Sequence, residues 1–92
     1  MILALKIKLH LPACQSLKDK RRLLQSLLTR SRRQFQIAIC ELALQDKLQV
    51  TCLEACTCCE SRVQAERVLG SFLRWIEATY DLDLVEVEWR DA

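Results

Sequence analysis

The stretch ILALKIKLHL, residues 2–11, decides the fold class of this chain. Apolar and polar side chains alternate along it, and a period of two is the pattern of a β-strand with one buried face. Pro12 follows and ends the strand, because proline cannot donate a hydrogen bond to a neighbouring strand. The predicted buried face consists of Leu3, Leu5, Ile7, Leu9 and Leu11. The first predicted element is therefore a strand that contributes one whole face to the core.

A helix and a hairpin follow this strand. Ser16 is a predicted N-cap, and leucines at helical spacing predict a helix over residues 17–33. Residues 35–43 and 48–58 alternate again, and residues 44–47 between them predict the turn of a β-hairpin. Both strands are expected in the same sheet as the first.

A second helix and a last strand complete the predicted fold. Ser61 and Gln64 match a capping box, and an apolar stripe after them predicts an amphipathic helix. Residues 84–89 predict the last strand. The side chains predicted to point inward from it are Val85, Val87 and Trp89. The order β-α-β-β-α-β predicts a ferredoxin-like α+β sandwich of one domain, residues 1–92, with an antiparallel four-stranded sheet in the order 4-1-3-2 and both helices on one face.

Composition limits the class of protein. The 92 residues are 51% hydrophobic and 28% charged, with one Gly and one Pro, which is typical of a folded domain. No run of 18 apolar residues is present, and residues 1–11 lack the layout of a signal peptide. We therefore expect no membrane contact and a cytoplasmic location, where the six cysteines would be reduced thiols.

Charge is distributed unevenly along the chain. Residues 1–33 hold nine Lys or Arg and one acid, whereas residues 34–92 hold five basic and eleven acidic residues. Such asymmetry predicts an anionic partner for the basic part, and RNA or a ribosomal particle is the partner we expect. The alternatives are a face that is merely solvated and an acidic protein partner. The candidate nucleic-acid-binding residues of the first helix are Lys18, Arg21, Arg22, Arg30, Arg32 and Arg33.

The residues of the first and third strands limit how RNA could bind. RNA-recognition motifs share this topology and stack bases on aromatic residues of their first and third strands. The third strand here carries no aromatic residue, and the outward side of the first carries Lys6, Lys8 and His10. We therefore expect phosphate contacts from the helix, with little base specificity, and no stacking on the sheet.

The segment from His10 to Ser16 is a candidate anion-binding loop, because it leads into a helix N-terminus. Cys14 and His10 could form a nucleophile–base pair there, which makes a small phosphate-handling enzyme our third hypothesis. No carboxylate partner for His10 is evident in the sequence. The simpler interpretation is a strand end fixed by Pro12 and a helix capped by Ser16. We assign no catalytic residue, metal or cofactor.

The face of the sheet turned away from the helices is predicted to be apolar and rich in cysteine. Homodimerisation through it is the second hypothesis, because an open apolar face requires cover. Thiols two apart on a strand are too widely spaced for a compact zinc site, so small apolar packing is expected of them. The alternatives are metal or redox chemistry and an intermolecular disulfide. Lys6 and Lys8 are expected opposite Glu86 and Glu88. The residues predicted on this face are Ile2, Ala4, Ala38, Cys40, Leu42, Cys52, Cys56, Cys58 and Leu84.

Three groups of residues carry a resemblance to a known family. They are the segment His10-Leu11-Pro12, the segment 16–22 with Arg30, Arg32, Arg33 and Phe35 after it, and the trio Glu41, Asp46 and Gln49. At these positions the chain resembles the YlxP-like family of bacterial domains of unknown function. The resemblance implies a ferredoxin-like fold and a link to translation, and it implies no catalytic residues. Our leading hypothesis is accordingly a non-enzymatic module that binds RNA or a ribosomal particle through its first helix.

Overall fold

The computed structural model of the chain describes residues 1–91, in which two helices and four strands follow the predicted order. They are β1 Ile2–His10, α1 Leu17–Gln34, β2 Ala38–Ala43, β3 Val50–Cys58, α2 Arg62–Thr79 and β4 Asp83–Asp91. The sheet order β2-β3-β1-β4 is the predicted order counted from the other edge, and every neighbouring pair is antiparallel. The ferredoxin-like fold is thus confirmed. Neither of these helices has the length and apolar content needed to cross a membrane.

The core lies between the sheet and the two helices. β1 contributes the apolar face predicted from its alternation, and Leu3, Leu5 and Leu9 on it have no exposed surface. α1 contributes Leu27 and α2 contributes Phe72, and both belong to the same buried cluster. Full burial of one large apolar side chain stabilises a fold by ~1.5–3 kcal/mol. Both helices therefore cover one face of the sheet and leave the other open.

Both helices begin at the serine that the sequence indicates. Ser16 Oγ accepts a hydrogen bond from the N–H of Asp19 at 3.1 Å. Ser61 Oγ accepts one from the N–H of Gln64 at 3.2 Å. Each bond satisfies a backbone donor that has no partner inside its own helix.

We expect Ser16→Ala and Ser61→Ala each to lower the free energy of unfolding by about 1 kcal/mol, because each change removes one helix cap. The measurement is the midpoint of urea unfolding. Ser71→Ala, inside α2, is the control and should change stability by less than about 0.5 kcal/mol. A cap variant as stable as this control would contradict the capping role.

The hairpin differs from its predicted bounds at both strand starts. β2 begins at Ala38 because Phe35 closes α1, with its N–H donating to the carbonyl of Ser31 at 2.9 Å. β3 begins at Val50, so the connection runs over residues 44–49. Phe35 is thus the C-cap of α1 and is not a strand residue.

Two bulges shift side chains away from their predicted faces. Between Leu84 and Glu86, β4 carries one extra residue, Val85, which pairs with no residue of β1. Leu84 therefore pairs with Leu9 and packs against the core, so its predicted place on the outer face is wrong. A second bulge leaves Leu42 of β2 without a partner in β3, outside the regular pattern of the outer face.

β4 forms an edge of the sheet that the helices leave partly uncovered. Val87 and Trp89 pair with Ile7 and Leu5, so they share the inward face as predicted. They nevertheless remain 40% and 39% exposed, and Val85 in the bulge is 52% exposed. α2 packs on β1 and β3. The inward direction predicted for Val87 and Trp89 is therefore confirmed, although both stay partly exposed, whereas Val85 lies in the bulge and pairs with no residue of β1.

Candidate nucleic-acid interface

α1 presents a row of free cations to solvent. Lys18, Arg21, Arg22 and Arg33 are exposed, and within residues 1–91 they make no ion pair. The acid of this helix is Asp19, whose carboxylate accepts a backbone hydrogen bond at 3.2 Å. Four of the six predicted nucleic-acid-binding residues therefore have their charged groups available to a ligand.

Lys20 is a basic residue of α1 that is buried. Its side chain is 3% exposed, and its ammonium donates to the carbonyls of Leu44 and Lys47 at 2.6 Å each. The carboxylate of Glu41 lies 3.4 Å from the ammonium, and the hydroxyl of Thr51 donates to that carboxylate at 2.7 Å. Lys20 therefore fixes the β2–β3 connection against α1 and is not available to a ligand.

Arg30 and Arg32 are engaged within the protein. Arg32 donates to the carbonyl of Ile39 at 2.8 Å and so ties the end of α1 to β2. Arg30 donates to the hydroxyl of Tyr80 at 3.3 Å, and its guanidinium carbon lies 5.5 Å from the ring centre of Trp75. Both arginines keep exposed surface, but each has a protein partner that counting basic residues could not show.

α2 extends the basic surface beyond the predicted residues. Arg67 and Arg74 are exposed and lie seven residues apart, which places them on one flank of the helix. Arg67 lines a groove with Gln34 and Phe35 at the end of α1. Arg74 donates to the hydroxyl of Ser71, which lines the same groove, at 3.2 Å. The spacing of two helical turns is the sequence signal that could have found this pair.

The acids of α2 lie on its other flank. Glu66 and Glu77 are eleven residues apart, about three helical turns, and share the side on which Arg62 contacts both Glu66 and Asp91 of β4. The helical layer thus carries cations outward and acids toward β4. Arg30 and Arg32 are held by a tyrosine hydroxyl and a backbone carbonyl. We call the other exposed cations of this layer that have no carboxylate partner within residues 1–91 the basic patch. Its members are Lys18, Arg21, Arg22, Arg33, Arg67 and Arg74.

Polar groups of the loop between β1 and α1 make hydrogen bonds within the protein. Ser16 Oγ caps α1, and the side-chain amide of Gln49 donates to the carbonyl of Cys14 at 3.2 Å. Cys14 is 2% exposed, and burial raises the pKa of its thiol. Asp19 raises that pKa further, whereas Lys20 acts in the opposite direction. The thiol is therefore protonated at neutral pH, which disfavours its use as a nucleophile.

His10 lies at the end of β1 on the outer face of the sheet. Its Nδ1 is 3.2 Å from Oδ2 of Asp83, the residue opposite it in β4. The expectation that His10 has no carboxylate partner is therefore wrong, because strand pairing brings together two residues that are 73 positions apart. Ser16, the other residue of the predicted anion-binding loop, uses its Oγ to cap α1. Anion binding by this loop stays a prediction.

The outer face of the sheet has a charged half and an apolar half. Lys6 and Lys8 lie opposite Glu88 and Glu86 as expected, although no ion pair joins them in the part of the chain described. All six cysteines are free, and no group of three or more His, Cys, Asp or Glu within residues 1–91 could hold a metal ion. The apolar half contains a shallow cavity of about 380 Å³, whose lining includes Ile2, Ala4, Ala38, Cys40 and Cys56.

Two comparisons match most of the chain. The family described as "Protein of unknown function (DUF503)" matches residues 2–89. A protein of Bacillus subtilis (strain 168) named "Uncharacterized protein YlxP" is 34% identical over 76 residues, which cover 80% of this chain and 83% of the relative. Neither description names a ligand or a reaction, so the chemistry of the surface is the guide to function.

Proposed function

The chain belongs to the DUF503 family of unknown function, as its resemblance to YlxP-like domains predicts, and we propose that it is a non-enzymatic module that binds RNA or a ribosomal particle. The basic patch is the binding surface, and the lack of carboxylate partners for its cations carries the proposal. A row of such cations neutralises phosphates and releases counterions, and arginine adds geometry suited to phosphate. Ribosomal RNA as the partner would place the protein in the cytoplasm.

The position of the cations on α1 supports a role in binding rather than in folding. Lys18 lies in the first turn, where the helix macrodipole disfavours positive charge, and Arg21 and Arg22 follow in the second turn. Lys18 and Arg22 are also four residues apart, a spacing at which like charges destabilise a helix by ~0.2–0.5 kcal/mol. A face needed only for solubility has no reason to concentrate like charges there. A bound phosphate would relieve both unfavourable terms.

The loop before α1 supports a binding module over a phosphate-handling enzyme. The Ser16 hydroxyl is engaged as the helix cap, and the Cys14 thiol is buried with a raised pKa. His10 is paired with Asp83 on the outer face of the sheet. Each of the three groups thus has a partner or an environment that disfavours its use as a nucleophile or base, which favours the binding module.

The test of the proposal is the salt dependence of binding to a pool of ribosomal RNA fragments. Log affinity should fall with log salt at a slope of about −0.7 to −0.9 for each phosphate contacted. Arg22→Gln with Arg33→Gln removes two contacts, so it should flatten that slope by about 1.4 to 1.8. Equilibrium binding across a salt series gives the slope, and circular dichroism verifies that the variant is folded.

The matched control, Lys6→Gln with Lys8→Gln, also removes two positive charges, but from the outer sheet face. We expect its salt slope to equal that of the unmodified protein. Equal flattening by the two double variants would show that net charge, and not the basic patch, governs binding. Absence of RNA binding at low salt would rule the proposal out.

Self-association through the apolar half of the outer face is a second candidate function, favoured by Ile2, which is 46% exposed beside the shallow cavity. We expect Ile2→Glu to weaken a dimer by about tenfold or more, because the interface would bury an unpaired carboxylate. Val63→Glu on α2, at a position 61% exposed, is the matched control. Sedimentation equilibrium measures both variants, and a monomeric unmodified protein would remove this candidate.

A further inference from the structure

Three aromatic side chains form a cluster at the seam between α1 and α2. The ring of Trp75 lies edge-to-face with Phe35, at 5.6 Å between centroids, and with Tyr80, at 5.7 Å. All three side chains are only partly buried, so the cluster reaches the surface of the helical layer. Helix packing has therefore placed aromatic rings on the side of the protein that carries the basic patch.

Arg30 joins this cluster to the basic patch. Its guanidinium carbon lies 5.5 Å from the ring centre of Trp75 and 5.7 Å from that of Tyr80, which is cation–π geometry. Tyr80 is held in turn by Ser26, whose Oγ lies 2.9 Å from the tyrosine hydroxyl. Arg33, a member of the patch, follows about one turn later in α1. An exposed guanidinium and two rings are thus fixed beside free cations.

We propose that this seam binds unpaired RNA, with one base stacked on the cluster of Arg30, Trp75 and Tyr80 and the flanking phosphates on Arg33 and Arg74. This inference rests on the proposed function and names its substrate class. Proteins that bind unpaired RNA stack bases on aromatic rings and on arginine guanidinium planes. Every base has a face suited to such stacking, so the site needs no particular sequence.

Charge alone does not distinguish a single strand from a duplex, but the aromatic cluster does. In a duplex the face of each base is covered by its neighbours, so a duplex meets only the cations of the patch. In a single strand the bases can turn toward the protein while the phosphates stay on the cations. Arg33 lies one turn from Arg30 in α1, and Arg74 lies on the outward flank of α2, where it donates to Ser71, so each helix carries a cation within about one turn of the cluster residues.

Intrinsic fluorescence of the full chain can test this site, because the two tryptophans lie in different places. Trp75 belongs to the cluster, whereas Trp89 lies on the edge strand β4 beside Arg62 and Glu66. In the variant Trp89→Phe, single-stranded oligouridine should quench the emission of Trp75. A blunt-ended duplex with the same number of phosphates should quench it much less. The variant Trp75→Phe, which keeps Trp89, should show little change with either RNA.

The variant Arg30→Lys separates stacking from charge. Lysine keeps the positive charge, so the salt slope should stay the same, but it has no planar group on which a base can stack. We expect about a tenfold loss of affinity for the single strand, the size of one base-stacking contact, and less than about a twofold loss for the duplex.

The outcomes distinguish this inference from the function on which it rests. Equal affinity for both RNAs, with no quenching of Trp75, would overturn the stacking site and leave phosphate binding by the patch in place. An unchanged preference for the single strand in Arg30→Lys would also overturn it. A chain that binds neither RNA at low salt would overturn both proposals.

Discussion

Replacing Lys20 by methionine should lower the free energy of unfolding by about 3–5 kcal/mol, the usual effect of removing one partner of a buried ion pair. Methionine fills a similar volume but leaves the carbonyls of Leu44 and Lys47 without their donor. It also leaves the Glu41 carboxylate, whose side chain is 20% exposed, without its counter-ion. Since small domains are stable by only about 5–15 kcal/mol, urea unfolding will show a loss of this size directly.

Two comparison variants test whether this loss comes from the buried contacts. Lys18→Met changes an exposed lysine of the same helix and should lower stability by no more than about 0.5 kcal/mol. The double change Lys20→Met with Glu41→Leu also removes the stranded carboxylate, so it should be more stable than Lys20→Met alone. If the Lys20 and Lys18 variants were equally stable, Lys20 would not be the clamp between α1 and the β2–β3 connection.

Features set by neighbours along the chain could be predicted from the sequence. The inward leucines of β1 follow from a period of two, and the serine caps follow from an oxygen placed three residues before a free N–H. The order of the sheet follows in turn from the order of the elements and the rules for connecting them.

Features set by a neighbouring strand could not be predicted in this way. Alternation places Leu84 outward and Val85 inward. In the structure Val85 is the extra residue of a bulge against β1, and Leu84 therefore packs against the core. The pair of His10 and Asp83 has the same origin, because only the register of β1 with β4 brings these residues together. The pattern of one strand does not show where a bulge falls, so the pairing of Lys6 and Lys8 with Glu88 and Glu86 could be predicted but the pairing beyond the bulge could not.

The sequence predicted that the candidate site is basic. It did not predict which of the basic side chains lack a partner within the protein. A helical wheel places Lys20 in the leucine stripe, since Leu24 and Leu27 lie four and seven residues later. Its carbonyl acceptors, on Leu44 and Lys47, belong to a connection that the sequence could not position. The seam of Arg30 and Trp75 likewise depends on how two distant helices pack. Tertiary contact therefore decides which cations a ligand can reach.

Reversing two charges at the start of α1 should lower RNA affinity without lowering stability. Lys18→Glu with Arg22→Glu places one acid in the first turn, where the macrodipole favours it by ~0.3–1 kcal/mol, and a second acid in the next turn. The like-charge repulsion between the two positions remains, so the free energy of unfolding should stay the same or rise slightly. RNA affinity should fall on the order of 100-fold, because two phosphate contacts become two repulsions.

The same reversal on the outer sheet face should give the opposite pattern. Lys6→Glu with Lys8→Glu lowers the formal net charge by four, from +2 to −2, as the helix reversal does. The new carboxylates would lie opposite Glu88 and Glu86, and like charges in that position destabilise a sheet by ~0.2–1 kcal/mol per pair. We expect lower stability in urea, with RNA affinity close to that of the unmodified protein.

Urea unfolding and RNA binding, measured on both reversals, separate a binding surface from a solvated one. If α1 were only solvated, binding would depend on net charge alone, and the two reversals would weaken it equally. If α1 is the binding surface, the reversal on α1 weakens RNA binding without lowering stability, whereas the reversal on the sheet lowers stability without weakening RNA binding. The cations at the start of α1 would then be residues that folding does not require, and a phosphate ligand would be the physical reason for their presence.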